Sequence, residues 1–205
     1  VRRVEIFECE QNTPEWYAAR LGLVTASEFA TVMAQGRGGG PSKTRHTYML
    51  KLIGERMTGE PAYNYQNDHM ERGKAMEVEA RDLYQFLNDK DELRRVGFLK
   101  NGDIGCSPDS LIGNNGMLEI KTKLAHLQLE VLLDDVLPPE HMAQVQGQLL
   151  VAEREWCDFV SYWPKLPLFA KRVYRDEDYI DRLVEATRRF EDELEALMAR
   201  VKVAA

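Results

Sequence analysis

Two acids and an amine, Asp109, Glu119 and Lys121, fall within the stretch Cys106 to Lys123, which reads CSPDSLIGNNGMLEIKTK. Side chains on a strand alternate between its faces. In MLEIK, Met117, Glu119 and Lys121 therefore share one face, while Leu118 and Ile120 share the other and read as the core side. A carboxylate and an ammonium then project side by side. Ser110-Leu111-Ile112 reads as a short partner strand. If Ser110 pairs with Leu118, Asp109 falls opposite Glu119 and on its face; one residue of slip sends it to the other side. The first register needs a three-residue loop, Gly113-Asn114-Asn115, and Gly and Asn supply the left-handed conformations such a loop wants. The sequence admits both registers, and the first is the expectation.

Adjacent carboxylates repel, and each is better served by a bound cation than by ionising alone. Oxygen ligands without His or Cys suit a hard ion, Mg²⁺, with Mn²⁺ as a substitute. A lysine beside them can orient a water and stabilise the hydroxide that the ion makes accessible. An edge hairpin with a surface Glu–Lys pair fits the same residues, and an acid followed by Glu-x-Lys is a weak pattern by itself.

The elements that must position these groups come from the rest of the chain. Its 205 residues fit one medium domain, 1–205, with a real core. No stretch resembles a signal peptide, and no apolar run approaches a membrane span. Cys9, Cys106 and Cys157 are odd in number and lack metal-ligand spacing, so a reduced, cytoplasmic setting is expected. A net charge of −7 argues against a protein that coats nucleic acid non-specifically. It leaves room for a carboxylate site whose local field is reversed by a bound ion. Basic residues Arg20, Arg37, Lys43, Arg45 and Lys51 cluster early and acids crowd the end, either a segregated DNA-binding charge or a solvated gradient.

Thr13-Pro14-Glu15 signals a helix start. Thr25 and Glu28 stand at capping-box spacing, which predicts a second helix whose free amides would receive an anion. Arg20 and two nearby hydroxyls would complete that pocket; a self-satisfied capping box with a surface Arg is the plain alternative. The Gly-rich run from Gly36 to Lys43 reads as a mobile loop without P-loop spacing. Helices are predicted over 44–57, 68–87, 124–137, 140–152 and 178–201, and strands over 93–99, 103–107, 156–163 and 168–174. Glu77 and Glu79 flank the apolar stripe of the second of these helices on opposite sides, and periodicity does not choose between them. Gln144 and Gln148 share a helix face away from Met142, Val145 and Leu149.

Ser107-Pro108-Asp109 followed by Glu119-Ile120-Lys121 resembles the PD-(D/E)-x-K nuclease signature. Together with Glu15-Trp16-Tyr17-Ala18-Ala19-Arg20, Val24-Thr25-Ala26-Ser27-Glu28, Gly73-Lys74-Ala75-Met76-Glu77 and Met142-Ala143-Gln144-Val145-Gln146, it is similar to the phage lambda-type alkaline exonucleases, the YqaJ-like viral recombinases. The resemblance runs from about Glu15 to Trp163. It implies a restriction-endonuclease-like α/β fold with a central mixed β-sheet flanked by helices.

By resemblance, Asp109, Glu119 and the Ile120 carbonyl bind Mg²⁺ with Glu77, while Lys121 and Gln144 orient the attacking water. Arg20, Ser27 and Ser107 hold a DNA 5′-phosphate, and Arg37 reaches into the DNA groove, with Thr25 and Lys43 as further DNA contacts. Gln148, Glu79 and His141 are then read as surface or plain helix residues. Where the family often has Cys-Pro after the lysine, this chain has Thr122-Lys123, which leaves Lys123 as a further phosphate contact. The implied activity is 5′→3′ digestion of one strand of linear duplex DNA, leaving 3′ single-stranded overhangs for recombination by annealing. The implied partners are double-stranded DNA ends, a single-strand annealing protein and two further copies in a homotrimer, in a bacterial cell carrying the phage or prophage gene. An endonuclease or repair-complex subunit, and a non-catalytic DNA-end-binding protein, are the competing readings.

Overall fold

In the computed structural model, which describes residues 3–36, 40, 42–62, 68–88 and 93–204, the chain opens with strand Glu5–Phe7 (β1) and helix Pro14–Arg20 (α1). The helix starts as its sequence predicts: the Thr13 hydroxyl accepts from the Trp16 amide, and Pro14 occupies the first turn. Strand Val24–Thr25 (β2), a 3₁₀ turn at Ala26–Glu28, and helices Phe29–Met33 (α2), Lys43–Thr58 (α3) and Asp68–Leu87 (α4) follow. Then come strands Leu93–Arg94 (β3), Phe98–Asn101 (β4), Ile104–Cys106 (β5), Ser110–Ile112 (β6) and Gly116–Thr122 (β7). Helices Ala125–Asp134 (α5) and Met142–Ala152 (α6), strands Trp156–Tyr162 (β8) and Phe169–Tyr174 (β9), and helix Glu177–Ala204 (α7) complete the order.

The strands form the mixed-sheet architecture expected, as two sheets in the orders β1-β4-β5-β2 and β3-β6-β7-β8-β9. The apolar run 93–99 is divided between them. Leu93–Arg94 pairs with β6, whereas Phe98 onward pairs with β1 and β5, so the chain changes sheet across residues 95–97. The hairpin takes the expected register: Ser110 pairs with Leu118, Leu111 with Met117 and Ile112 with Gly116. Gly113 provides the left-handed residue of its loop at φ 50°, and Arg154 fastens the turn by donating to the carbonyls of Gly113 (3.0 Å) and Gly116 (2.6 Å).

β7 is buried on both faces. Leu118 and Ile120 pack with Val160 against Met76, Ala80 and Tyr84 of α4. Met117 belongs to a larger core with Phe29, Val145, Leu149, Phe159, Leu183 and Phe190, where each buried Leu or Phe contributes about 1.5–3 kcal/mol. Gly147 lets α6 close onto that core, because a Cβ there would meet the Phe29 ring at 2.0 Å. Helix α4 is also tied to the sheet by polar groups. The Tyr84 hydroxyl donates to Asp158 (2.5 Å), whose carboxylate accepts both arms of Arg172 (2.8 Å each).

Two other expectations change. Thr25 is extended (φ −111°, ψ 152°) and caps nothing with its side chain. It pairs with Gly105 in the sheet, so the capping box does not form. The early basic run is partly spent on the fold itself, since its Arg45 bonds Glu193 (2.5 and 3.0 Å) on α7; Arg56, beyond that run, likewise bonds Glu191 (2.9 Å). All three cysteines are free. Among the described residues no helix is long and apolar enough to cross a membrane.

Candidate active site

The hairpin delivers Asp109 and Glu119 to one cleft of about 270 Å³, which lies against both sheets and receives α1, α4 and α6. Glu119 is only 3% exposed, so its charge must be met by neighbours. One oxygen accepts from Lys121 Nζ (2.7 Å) and Gln144 Nε2 (2.6 Å), and the other from Gln148 Nε2 (2.6 Å). Asp109 continues the hairpin ladder by other means. Its amide donates to the Leu118 carbonyl (3.1 Å), and its Oδ2 accepts from the Ile120 amide (2.5 Å). Burial pushes the Asp109 carboxyl well above its ordinary range, and repulsion from Glu119 and Glu77 adds to this against the Ile120 amide and Lys121. Burial also works against the Lys121 charge, but Glu119, Asp109 and Glu77 outweigh it and the ammonium titrates above its usual value.

Glu77 reaches the cleft from α4, where Arg81 donates to its Oε1 (2.5 Å) and also approaches the Asp109 carbonyl (3.4 Å). Arg81 is 7% exposed, and among the described residues its Nε has no hydrogen-bond partner. Crowded carboxylates with one raised pKa are a donor set that a hard cation relieves. Among the described residues no three acidic, imidazole or thiol groups converge into a metal cage. Magnesium does not require one, since it is held by one or two carboxylates and keeps waters and substrate phosphate as its other ligands. Asp109, Glu119 and the Ile120 carbonyl fit that demand, with Glu77 beside them.

At the other end of the cleft the Arg20 guanidinium lies over the Trp16 ring (4.2 Å) and donates to the Thr25 hydroxyl (3.4 Å), which in turn lies 3.3 Å from the Ser27 hydroxyl. The Trp16 indole N–H is shared between the Ser107 hydroxyl (2.8 Å) and the Gly97 carbonyl (3.1 Å). Among the described residues Arg20 makes no ion pair. Burial lowers its pKa, with Tyr48 and Glu55 opposing. A desolvated, unpaired guanidinium beside three hydroxyls can take an oxyanion in fork geometry.

The cleft thus gathers Arg20, Thr25, Ser27, Glu77, Ser107, Asp109, Glu119, Ile120, Lys121 and Gln144. Arg37 lies outside the described residues. Lys43 is exposed at the start of α3 and does not line the cleft, and Lys123 is held by Glu140 (3.2 Å). Gln148 is not the surface residue expected: it is 1% exposed and bonded to Glu119. Its signal in the sequence is its position one turn after Gln144, on the same face. Glu79 is exposed, as expected, and accepts from the Tyr162 hydroxyl (2.6 Å). His141 stacks on Phe159, and burial, helped by Lys123 and Lys121, takes its pKa down to about 4. Arg81 carries no sequence signal, because its role depends on the docking of α4 beside Asp109.

Residues 15–155 match the YqaJ-like viral recombinase domain. The alkaline exonuclease LHK-Exo from Laribacter hongkongensis is 35% identical, with a TM-score of 0.83 over 94% of this chain and 97% of that one. The same enzyme in complex with dAMP gives 0.84 at the same identity and coverage. A phage-related exonuclease from Haemophilus somnus 129PT, 13% identical, shares the fold with a TM-score of 0.66 over 90% of this chain and 99% of that one. No curated protein sequence matches. The fold is restriction-endonuclease-like, with two mixed sheets flanked by helices.

Proposed function

Because this chain belongs to the YqaJ-like viral recombinase family, we propose that it is a deoxyribonuclease of recombination that digests linear duplex DNA from 5′ ends. The carrying observation is that Arg20, desolvated and without an ion pair among the described residues, shares one cleft with Ser27, Ser107, Asp109, Glu119 and Lys121. One end suits a terminal phosphate and the other a scissile one. Asp109, Glu119 and the Ile120 carbonyl would hold Mg²⁺, or Mn²⁺ in its place, with Glu77 assisting. When bound, such an ion supplies Lewis-acid polarisation of the phosphate and a lowered pKa for water.

The chain's own groups do the rest. Lys121, anchored on Glu119, carries a fixed positive charge toward the phosphate on which negative charge develops. Gln144 has its amide oxygen left to orient a water, since its nitrogen is committed to Glu119. Arg20, Ser27 and Ser107 bind the terminal 5′-phosphate and so bias cutting toward ends. Trp16 holds Ser107 and supports Arg20, which fixes both sides of that pocket together. The proposal extends to a single nuclease domain over 1–205 that works as a homotrimer beside a single-strand annealing protein, in the cytoplasm of a bacterial host.

The test is digestion of duplex DNA labelled at one 5′ or one 3′ end, with and without Mg²⁺. Expected are Mg²⁺-dependent release of 5′-terminal nucleotides, persistence of the 3′-ended strand, and resistance of covalently closed circles. Release from 3′ ends, or rapid cutting of closed circles, would refute the reading.

A further inference from the structure

Glu119 is the most buried acid of the cleft, and the helix facing it presents two amides, not one. Gln144 and Gln148 stand one turn apart on α6 and donate to different oxygens of the same carboxylate, each at 2.6 Å. A carboxylate offers about four acceptor positions. Lys121 and Gln144 take two on Oε1 and Gln148 takes one on Oε2. One position, on Oε2, is left uncommitted by these bonds. Gln148 therefore determines which edge of Glu119 is available and how far the carboxylate can rotate.

The Gln148 amide cannot be turned over without placing its oxygen against the Glu119 oxygen, so the donor role is set by chemistry. Its own oxygen is buried and has no hydrogen-bond partner among the described residues. An orphaned buried acceptor is destabilising and is tolerated here at a residue that lines the cleft. Water bound beside Glu119 would supply the missing hydrogen.

We propose that Gln148 is a positioning residue for cation binding: its amide nitrogen fixes Glu119 with one Oε2 position presented to a divalent ion, and its amide oxygen accepts from water held there. This rests on the metal-dependent reading of the site. Gln144, one turn earlier on the same helix, holds the other oxygen of that carboxylate, so the two glutamines act as paired guides. Second-layer partners of this kind change metal affinity by roughly 10- to 100-fold when removed.

The experiment is calorimetric titration of the DNA-free protein with Mn²⁺, comparing wild type, Glu119→Gln and Gln148→Met, alongside the Mn²⁺ concentration that gives half-maximal kcat. Methionine keeps the length of the side chain and suits a buried site while removing both polar atoms. Expected is a Kd for Mn²⁺ about 10-fold weaker in Gln148→Met. Its kcat should recover at high Mn²⁺, and its affinity for 5′-phosphorylated duplex without divalent ion should stay unchanged. Gln148→Asn, which keeps an amide that can reach Glu119 through a water, should fall between the two and serves if the methionine variant does not fold. Wild-type binding lost in Glu119→Gln but unaltered in both Gln148 variants would overturn the inference alone. Absence of Mn²⁺ binding in the wild type would overturn the metal-dependent reading with it.

Discussion

Replacing Arg20 by alanine should erase much of the enzyme's preference for 5′-phosphorylated over 5′-hydroxyl ends while leaving the protein folded. The guanidinium rests on Trp16 at 4.2 Å and spends one weak hydrogen bond on Thr25, so its other donors are available to a phosphate. Hydrogen bonds to a charged group contribute about 1.5–3 kcal/mol, which converts to roughly a 10- to 150-fold change in end preference. The effect on stability is smaller. The cation–π interaction with Trp16 is worth about 0.5–2 kcal/mol, and removing a desolvated charge that makes no ion pair among the described residues offsets part of it. The assay is competition between phosphorylated and hydroxyl-ended duplexes in one reaction, read as the ratio of their kcat/KM values, with a melting curve for each protein. Arg20→Lys should retain part of the preference, because a point charge remains but the planar fork does not. An end-preference ratio equal to wild type in Arg20→Ala would refute the assignment of the phosphate pocket.

Trp16→Phe withdraws the indole donor from the Gly97 carbonyl and the Ser107 hydroxyl. It should cost about 1–3 kcal/mol in urea unfolding and reduce end preference with it; an unchanged midpoint would count against the bridge. The raised Asp109 pKa makes the cation-free protein bind more protons than its unfolded chain, so its contribution to stability is full below about pH 4. That contribution is lost as pH rises through the folded-state value. Unfolding free energies measured in EDTA should therefore carry a component that falls with pH over that window and disappears in Asp109→Asn, and saturating Mg²⁺ should restore the stability. A pH profile identical in Asp109→Asn would dismiss this origin.

The hairpin is largely legible in the sequence: alternation assigns the faces of Leu118, Glu119 and Ile120, and the Gly113-Asn114-Asn115 loop suits the register that forms, although the sequence admits the slipped one as well. What escapes depends on groups distant in the chain. Periodicity puts Gln148 beside Gln144 but cannot say that this helix face looks onto a buried carboxylate. The run 93–99 reads as one strand, yet its two ends find partners in different sheets. Thr25 and Glu28 have capping-box spacing, but pairing of Thr25 with Gly105 holds the backbone extended. Arg45 and Arg56 are taken from any DNA by α7, which folds back with Glu193 and Glu191.

Ser107 and Asp109 are separated by a single proline, so their Cα atoms cannot lie more than about 7 Å apart. Under the proposed function this short tether acts as a ruler whose marks are an end-gripping hydroxyl and a bond-cutting carboxylate. Its upper limit is covalent, so loop motion and base sequence cannot stretch it past that limit. Each turnover would then trim the same increment, whatever nucleotide occupies the end.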